Sequence, residues 1–194
     1  MEPQRFPDVT AIVLAGGNSS RMGGLDKSLL PVRGIPMIRH IVTQLESYFT
    51  EILIGGDEDK YGFLGHRVIP DTLEGMGPLM GIYSCLMDSG NDLNFITACD
   101  IPEINIDFVK KMLELSEGSD IVMPVKGPYN YEPLHAIYRK SVIDVAAKLL
   151  KEKKLKISDL AGMVNTCFIP FDGREWYHNL NTRDEYNNFT ESYT

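Results

Sequence analysis

The stretch VTAIVLAGG, residues 9–17, decides the fold that we expect for this chain. Residues 9–15 are mostly apolar and rich in β-branched side chains, and the run ends at two glycines. Such a run is typical of a short strand that is covered on both faces, as in a parallel sheet. The chain continues as NSSRMGGLDK, residues 18–27, with two further glycines and two basic side chains. We therefore predict a buried strand that leads directly into a glycine-rich loop.

The composition is that of an ordinary globular protein. Its 194 residues are a normal size for one domain with a substantial core, and 43% of them are apolar and 24% charged. We predict a single domain over residues 1–194. The 19 basic and 27 acidic residues give a net charge of −8. Because affinity for nucleic acid comes mostly from Lys and Arg side chains that neutralise phosphates, we do not expect nucleic acid as a partner.

The cysteines and the lack of long apolar runs predict a cytoplasmic location. Cys85, Cys99 and Cys167 are odd in number, widely spaced and without a Cys-x-x-Cys pair, which fits a reducing compartment. Residues 1–10 lack the apolar core of a signal peptide. No uninterrupted apolar run approaches the ~20 residues of a spanning helix, so we expect no association with a membrane.

Strand-like and helix-like segments alternate along the rest of the chain. Further strand-like apolar runs lie at 51–56, 67–69, 94–100, 120–125, 134–138 and 164–169. Apolar residues at helical spacing predict helices over 38–49, 78–90, 108–118 and 141–154, and a short one after Thr182. This alternation predicts a mostly parallel, doubly wound sheet between two layers of helices, which is a three-layer α/β/α sandwich.

The glycine-rich loop and the acid Asp100 are the places where we expect binding groups. In doubly wound sheets, ligands lie beyond the carboxyl ends of the strands, and both features follow a predicted strand. The glycines allow backbone N–H groups to approach a phosphate closely, and Arg21 and Lys27 can supply charge to its oxygens. The spacing matches neither G-x-x-x-x-G-K-[ST] nor G-x-G-x-x-G. On the glycines alone, an ordinary loop with solvated cations is the better interpretation.

Five stretches in order carry a more specific pattern. They are LAGG with SRMG and DKSLL within 14–30, PDTLEGMGPLMGI at 70–82, TACDIP at 97–102, NYEPLHAIYR at 130–139 and NLNT at 179–182. With these stretches the chain resembles the nucleotidyltransferases, and in particular the molybdenum cofactor guanylyltransferase family, from residue 9 to about residue 186. Any one of these motifs would be a weak signal, but their occurrence together and in order is a strong one.

The resemblance implies an activity and a set of site residues. The activity is transfer of GMP from GTP to the terminal phosphate of molybdopterin carrying molybdenum, on a Rossmann-like nucleotidyltransferase sheet, with Mg²⁺ as cofactor and pyrophosphate as the second product. Lys27, Arg21 and Asp100 would be catalytic, and Asp100 would hold Mg²⁺, which prefers carboxylate and phosphate oxygens. GTP contacts are implied for Leu14, Ala15, Gly16, Gly17, Lys27, Asp71 and Asp100, and pterin contacts for Asn179 and Asn181. Proteins that insert molybdenum or receive the finished cofactor would be transient partners.

Most of these residues also have an ordinary structural interpretation. Asp100 and Asp71 can each be a turn or cap residue near a proline. Asn181 with Thr182 can cap the last helix, and both interpretations stay open for Asn181. His135 lies within an apolar run and is expected to be a core histidine rather than a catalytic base.

Three features of the sequence, compared with the family pattern, bear on the identity of the substrates. Gly16 stands where related cytidylyltransferases resemble L-A-A-G, and the extra room favours guanine. The family often has an Asn after the second strand, but residues 55–57 read GGD here, so backbone or Asp57 is expected to make that contact. Residues 131–135, YEPLH, also depart from the family pattern on the acceptor side. A cytidylyltransferase for the same cofactor, a sugar-1-phosphate nucleotidyltransferase and a non-enzymatic cofactor carrier stay open as alternatives.

Overall fold

The computed structural model describes residues 5–16, 26–127, 130–172 and 176–191. Its strands are β1 (Phe6–Leu14), β2 (Pro31–Val32), β3 (Ile35–Pro36), β4 (Phe49–Gly55), β5 (Arg67–Ile69), β6 (Leu93–Ala98), β7 (Ile121–Val125), β8 (His135–Arg139) and β9 (Thr166–Pro170). Its helices are α1 (Met37–Glu46), α2 (Glu58–Tyr61), α3 (Pro78–Asp88), α4 (Ile106–Glu114), α5 (Ile143–Lys151), α6 (Ile157–Ala161) and α7 (Arg183–Glu191). Short 3₁₀ helices cover Lys27–Leu29, Gly62–Leu64 and Lys140–Val142.

The central sheet has seven strands in the order β5-β4-β1-β6-β8-β7-β9, and β2 pairs with β3 apart from it. Neighbouring strands are parallel from β5 to β6 and between β7 and β9. In contrast, β8 runs antiparallel to both β6 and β7. The polar loop between β7 and β8 is shorter than the crossover that a parallel pair needs, which explains the reversal. The predicted mostly parallel sheet is confirmed.

Two layers of helices cover this sheet. Along β1, Val9, Ala11 and Val13 belong to one apolar cluster, which also contains side chains of α1, α4 and α7. Ile12 and Leu14 belong to a second cluster, together with side chains of α3, α5 and α6. Both faces of β1 are therefore buried, as its continuous apolar run predicts. The predicted three-layer α/β/α sandwich is confirmed.

Three predicted helices end three or more residues earlier than expected. The first ends before Phe49, which begins β4 instead of continuing the helical face. The helix predicted over 141–154 is a 3₁₀ turn followed by α5, and α5 ends shortly before Lys153. Lys153 has a φ of 56°, which cannot continue a right-handed helix. Leu115 lies beyond the end of α4 and is 42% exposed, so it does not belong to the buried face of that helix.

The cysteines are three free thiols. Burial raises the pKa of Cys85 and of Cys99 to about 12, so neither is a reactive thiolate at neutral pH. Over the described ranges, no helix is both long and apolar enough to cross a membrane.

Candidate active site

A cavity of about 760 Å³ lies at the carboxyl ends of β1, β4 and β6. Leu14 of β1 is paired with Gly55 of β4 and with Ala98 of β6, so these three strand ends lie side by side. This is where ligands bind in doubly wound sheets. The predicted nucleotide-binding and catalytic residues that line the cavity are Leu14, Ala15, Gly16, Lys27, Asp71 and Asp100. The other two, Gly17 and Arg21, lie outside the described residues.

The backbone at the end of β1 is held from both sides. The Ala15 N–H donates to the Gly55 carbonyl oxygen at 2.8 Å, and the Cys99 N–H donates to the Leu14 carbonyl oxygen at 3.0 Å. A Cβ atom at Gly55 would lie 2.6 Å from Leu14 Cδ2 and 3.1 Å from Cys85 Sγ, so any larger residue there would require these side chains to shift. A Cβ atom at Gly16, by contrast, would meet no described atom within 4 Å. The cavity is therefore tightly walled at Gly55 and open at Gly16.

Lys27 is oriented by the residues on either side of it. Asp26 caps the 3₁₀ helix, because its carboxylate accepts hydrogen bonds from the Ser28 N–H at 2.9 Å and the Ser28 hydroxyl at 2.7 Å. The same carboxylate forms an ion pair with Lys60 of α2. Lys27 Nζ donates to the carbonyl oxygen of Leu180 at 3.0 Å. The ammonium group is thus held at the cavity wall by the segment that precedes α7.

Tyr61, on α2, joins the Lys27 helix to the end of β1. Its buried hydroxyl lies 3.0 Å from the Ala15 carbonyl oxygen, 3.0 Å from Ser28 Oγ and 3.2 Å from Asp26 Oδ2. Burial raises the pKa of Tyr61 to about 12, so this hydroxyl keeps its proton at neutral pH. Sequence reasoning missed Tyr61. A Cβ atom at Gly56 would lie 2.7 Å from the Tyr61 ring, so the glycine leaves room for this ring beside the end of β4.

Asp100 follows β6 and lines the cavity. The Leu180 N–H donates to the Asp100 backbone carbonyl at 2.9 Å, so one peptide segment contacts both Asp100 and Lys27. Burial raises the pKa of the Asp100 carboxyl, the positive charge of Lys27 lowers it in part, and the charge of Glu132 raises it further. Asp100 therefore has a poorly solvated carboxyl that gains from a nearby cation.

Asp71 and Glu74 reach the cavity from the loop between β5 and α3. A Cβ atom at Gly81 of α3 would lie 3.5 Å from Asp71 Oδ1 and 3.3 Å from Leu14 Cδ2. The Asp71 carboxylate therefore lies within van der Waals distance of α3, and α3 packs closely against Leu14 at the end of β1. Partial burial raises the pKa of Asp71. A carboxylate in this position can accept hydrogen bonds from N–H or O–H donors of a ligand.

The described lining of the cavity is strongly acidic. It contains Asp26, Asp57, Asp71, Glu74 and Asp100, and among the same described lining residues Lys27 is the sole basic one. In the described ranges, no group of three or more His, Cys, Asp or Glu side chains could hold a metal ion by itself. A lone carboxylate such as Asp100 suits Mg²⁺, which usually binds one or two protein carboxylates together with substrate phosphates and water. The donor set therefore fits a metal that is shared with a bound triphosphate.

The predicted pterin-binding asparagines do not line this cavity. Asn181 is exposed, and its backbone N–H donates to Glu185 Oε2 at 2.8 Å. Thr182 caps α7, because Glu185 N–H donates to Thr182 Oγ1 at 3.2 Å and Thr182 N–H donates to Glu185 Oε2 at 2.7 Å. The Asn181 side chain takes no part in this cap. Asn179 is half-buried and directly precedes Leu180, whose N–H donates to the Asp100 carbonyl oxygen at 2.9 Å.

A group of polar residues beyond Asp100 was not identified from the sequence. We call Lys126, Glu132 and Tyr177 the Glu132 cluster. The Tyr177 hydroxyl donates to Glu132 Oε2 at 2.7 Å, and Lys126 Nζ lies 3.3 Å from Glu132 Oε1. Lys126 Nζ also lies 4.1 Å from the centre of the Tyr177 ring. The cluster is next to the active site, since the chain continues from Tyr177 to Leu180, whose N–H donates to the Asp100 carbonyl oxygen at 2.9 Å.

His135 lies in the core, as expected. Its Nδ1 is 3.3 Å from Thr97 Oγ1, and its ring packs among aromatic side chains that include Phe95 and Trp176. Burial lowers the pKa of His135 to about 3, so the ring is neutral at physiological pH. This environment does not suit a general base.

The family comparison defines the class of protein, a nucleotidyltransferase. The family model of the MobA-like NTP transferase domain matches residues 11–161, which is more than half of the chain. The chain therefore belongs to the MobA-like NTP transferase domain family. The predicted class of enzyme is confirmed.

Individual relatives agree with this family. A Carboxydothermus hydrogenoformans protein named "Probable molybdenum cofactor guanylyltransferase" is 37% identical over 187 residues, which cover 92% of this chain and 93% of that protein. The structure of molybdopterin-guanine dinucleotide biosynthesis protein A from Archaeoglobus fulgidus has a TM-score of 0.80 at 22% identity, and the match covers 94% of this chain and 97% of that one. A Mycobacterium tuberculosis protein, solved in complex with manganese, has a TM-score of 0.70 at 17% identity, with coverage of 95% and 99%. The resemblance to molybdenum cofactor guanylyltransferases is confirmed, and the two structures support the fold.

Proposed function

We propose that this protein transfers GMP from GTP to the terminal phosphate of molybdopterin carrying molybdenum. An oxygen of the acceptor phosphate attacks the α-phosphorus of GTP and forms a new P–O bond, while the bond from the α-phosphorus to the bridging oxygen breaks. The electron pair of that bond leaves with pyrophosphate. The products are molybdopterin guanine dinucleotide and pyrophosphate. This reaction has little covalent chemistry for the protein, so positioning and charge neutralisation carry the catalysis.

One observation carries the proposal: a single cavity gathers the backbone of 14–16, the Lys27 ammonium and the Asp100 carboxylate. Its volume of about 760 Å³ is within the range of small-molecule sites. In the proposed complex, the backbone of 14–16 and the Asp71 carboxylate contact the nucleoside, and Lys27 neutralises the triphosphate and the leaving pyrophosphate. Gly17 and Arg21 are proposed to extend this phosphate contact.

We propose Mg²⁺ as the metal, with Asp100 as its protein ligand. When bound, it would neutralise phosphate charge and polarise the α-phosphoryl group. The acidic lining of the cavity supports this assignment, because a triphosphate needs more positive charge than Lys27 provides. The related fold that was solved with manganese supports a divalent metal in general.

The proposal extends to the domain organisation, the acceptor site, the partners and the location of the protein. Residues 1–194 would form one domain, since both apolar clusters share β1. Asn179 and Asn181 would serve the pterin of the acceptor. Proteins that insert molybdenum or receive the cofactor would make transient contacts, and the three free cysteines are compatible with a cytoplasmic location. Neither nucleic acid nor a membrane is a proposed partner.

The test is a transfer assay with purified protein, Mg²⁺ and molybdenum-loaded molybdopterin. GTP, CTP, UTP and ATP are compared, and pyrophosphate and dinucleotide are measured together. We expect both products with GTP only. Dinucleotide from CTP would identify a cytidylyltransferase, and transfer to a sugar 1-phosphate instead would identify a sugar enzyme. Binding of GTP and loaded molybdopterin without pyrophosphate release would identify a carrier.

A further inference from the structure

Residues 99–105 join β6 to α4 as irregular backbone, and this segment carries Asp100. Its start is fixed to the sheet, because the Cys99 N–H donates to the last carbonyl of β1 at 3.0 Å. The Ile101 N–H donates to the Ala98 carbonyl oxygen at 3.2 Å and closes a tight turn around Asp100. Backbone outside helices and strands needs other partners for its polar groups, so side chains decide where the rest of the segment lies.

Gln44 of α1 holds the second half of this segment at two points. Its Nε2 donates to the Pro102 carbonyl oxygen at 2.8 Å, and its Oε1 accepts from the Ile104 N–H at 3.1 Å. These partners fix the orientation of the amide, because a carbonyl oxygen only accepts and a backbone N–H only donates. Nε2 also donates to the His40 carbonyl oxygen, one turn earlier in α1, at 3.1 Å. The half-buried amide therefore uses both its protons and its oxygen at once.

The helix that carries Gln44 is a rigid support. Ile41 and Leu45, on the buried face of α1, are 0% exposed. They belong to the apolar cluster that also contains Val13, near the cavity end of β1. Gln44 thus ties the segment after Asp100 to the part of the core that carries the strand ends of the cavity. A site held by packed elements in this way is more precise than one held by loops alone.

We propose that Gln44 is a positioning residue, which keeps the Asp100 carboxylate where it would hold the metal of bound GTP. The inference rests on the proposed function, which assigns that metal to Asp100. The Leu180 N–H holds the Asp100 carbonyl oxygen at 2.9 Å, and Gln44 holds the backbone two and four residues further on. Loss of the Gln44 bonds would let this backbone, and the carboxylate with it, occupy more positions. Groups that orient a metal ligand change metal affinity by roughly 10- to 100-fold.

The test compares affinity for GTP with Mg²⁺ and affinity for GTP with EDTA, both by isothermal titration calorimetry. Gln44→Met keeps the length of the side chain but removes the N–H donors and the oxygen acceptor. We expect it to weaken binding of GTP with Mg²⁺ about ten-fold and to leave binding of GTP with EDTA unchanged. The ratio of the two affinities therefore falls. A merely structural role would lower the melting temperature and leave this ratio as in the wild type.

Arg139→Met is the matched control, since Arg139 also holds a loop through its side chain. Its Nε donates to the Ser119 carbonyl oxygen at 3.0 Å, and its Nη2 donates to the Ser116 carbonyl oxygen at 3.1 Å. Arg139 pairs with Leu93, at the end of β6 away from the cavity. This variant should therefore lose stability but keep the wild-type ratio of affinities.

A double-mutant cycle tests whether Gln44 acts through Asp100. Asp100→Asn should weaken binding of GTP with Mg²⁺, and adding Gln44→Met should weaken it no further. Gln44→Glu is the second variant, should Gln44→Met fail to fold. Its carboxylate can accept from the Ile104 N–H but repels the Pro102 carbonyl oxygen, so the ratio should fall here too. A wild-type ratio in a folded Gln44 variant, additive effects in the cycle or an equally lowered ratio in Arg139→Met would each overturn the inference.

The proposed function and this inference fail in different ways. If the wild-type protein transfers GMP but Gln44→Met keeps the wild-type ratio, the positioning role is wrong and the function stands. If CTP rather than GTP binds more tightly with Mg²⁺, the proposed function is wrong, and the same ratio measured with CTP tests Gln44. If none of the four nucleotides gains affinity from Mg²⁺, both are wrong.

Discussion

Asp100 is the residue on which the proposed chemistry depends most. Asp100→Asn keeps the size of the side chain but removes the charge that would hold Mg²⁺, so we expect transfer to fall by at least about 100-fold. The fold should be unaffected, as circular dichroism can check. Asp88→Asn, an exposed acid that pairs with Arg67 away from the cavity, is the control and should transfer normally. Normal transfer by Asp100→Asn would remove the metal assignment.

Asp100→Asn should also change how the stability of the protein depends on pH. Burial raises the pKa of Asp100 in the folded protein, so folding is favoured by the protonated form and loses this contribution as pH rises through the raised pKa. Asp100→Asn cannot ionise. We therefore expect its melting temperature, measured without metal or nucleotide, to exceed that of the wild type increasingly as the pH rises above the ordinary carboxyl pKa, and the difference to become constant above the raised pKa. A difference that stays constant with pH would contradict the raised pKa.

Substitution of Gly16 tests whether this position determines the preference for GTP over CTP. A Cβ atom there meets no described atom within 4 Å, so Gly16→Ala should leave the melting temperature unchanged. An added methyl group would then act on the ligand alone, and we expect the preference for GTP over CTP to fall by roughly 10- to 100-fold in kcat/KM. Gly55→Ala is the contrasting variant, because its Cβ atom would lie 2.6 Å from Leu14 Cδ2 and should destabilise the protein. Unchanged selectivity in Gly16→Ala would place nucleotide choice elsewhere.

At the scale of elements, α2 supports the nucleotide site without lining much of it. Tyr61→Phe removes the hydroxyl that joins the end of β1 to the Lys27 helix and leaves the Ala15 carbonyl without this partner. We expect a loss of about 1–2 kcal/mol in the free energy of unfolding and a higher Michaelis constant for GTP. The Michaelis constant for the acceptor should not change. A loss of stability with normal GTP kinetics would limit Tyr61 to a structural role.

The elements differ in how far the sequence predicts them. β1 and β6 are predictable because continuous apolar runs suit strands that are buried on both faces. The end of the helix predicted over 141–154 is not, because it depends on the left-handed backbone of Lys153, a residue type that gives no such signal. The antiparallel direction of β8 follows from the short loop between β7 and β8. The length of this loop can be read from the sequence, but the alternation of strands and helices predicts parallel strands.

At the scale of the whole molecule, the residues of the site also differ in how far the sequence predicts them. Asp100 and the backbone of 14–16 are predictable as cavity residues, because parallel strands bring their carboxyl ends to one edge. The hydrogen bond from Lys27 to Leu180 joins residues 153 positions apart, and no local sequence pattern predicts it. The hydrogen bond from Tyr177 to Glu132 spans 45 positions, and no local sequence pattern predicts it either. Contacts of this kind are determined by tertiary packing and need the folded structure.

The negative charge of the whole cavity predicts that GTP binding depends on Mg²⁺. Five described carboxylates and one described ammonium group line it, in a chain of net charge −8, so GTP alone should bind weakly and GTP with Mg²⁺ strongly. At 100 times its dissociation constant, the magnesium complex should raise the melting temperature by roughly 5–10 °C. Addition of EDTA should remove most of this shift, and so should Lys27→Met, whereas Lys148→Met on the exposed face of α5 should keep it. An equal shift with and without Mg²⁺ would mean that protein cations outside the described lining meet the triphosphate's charge, and that Asp100 has another role.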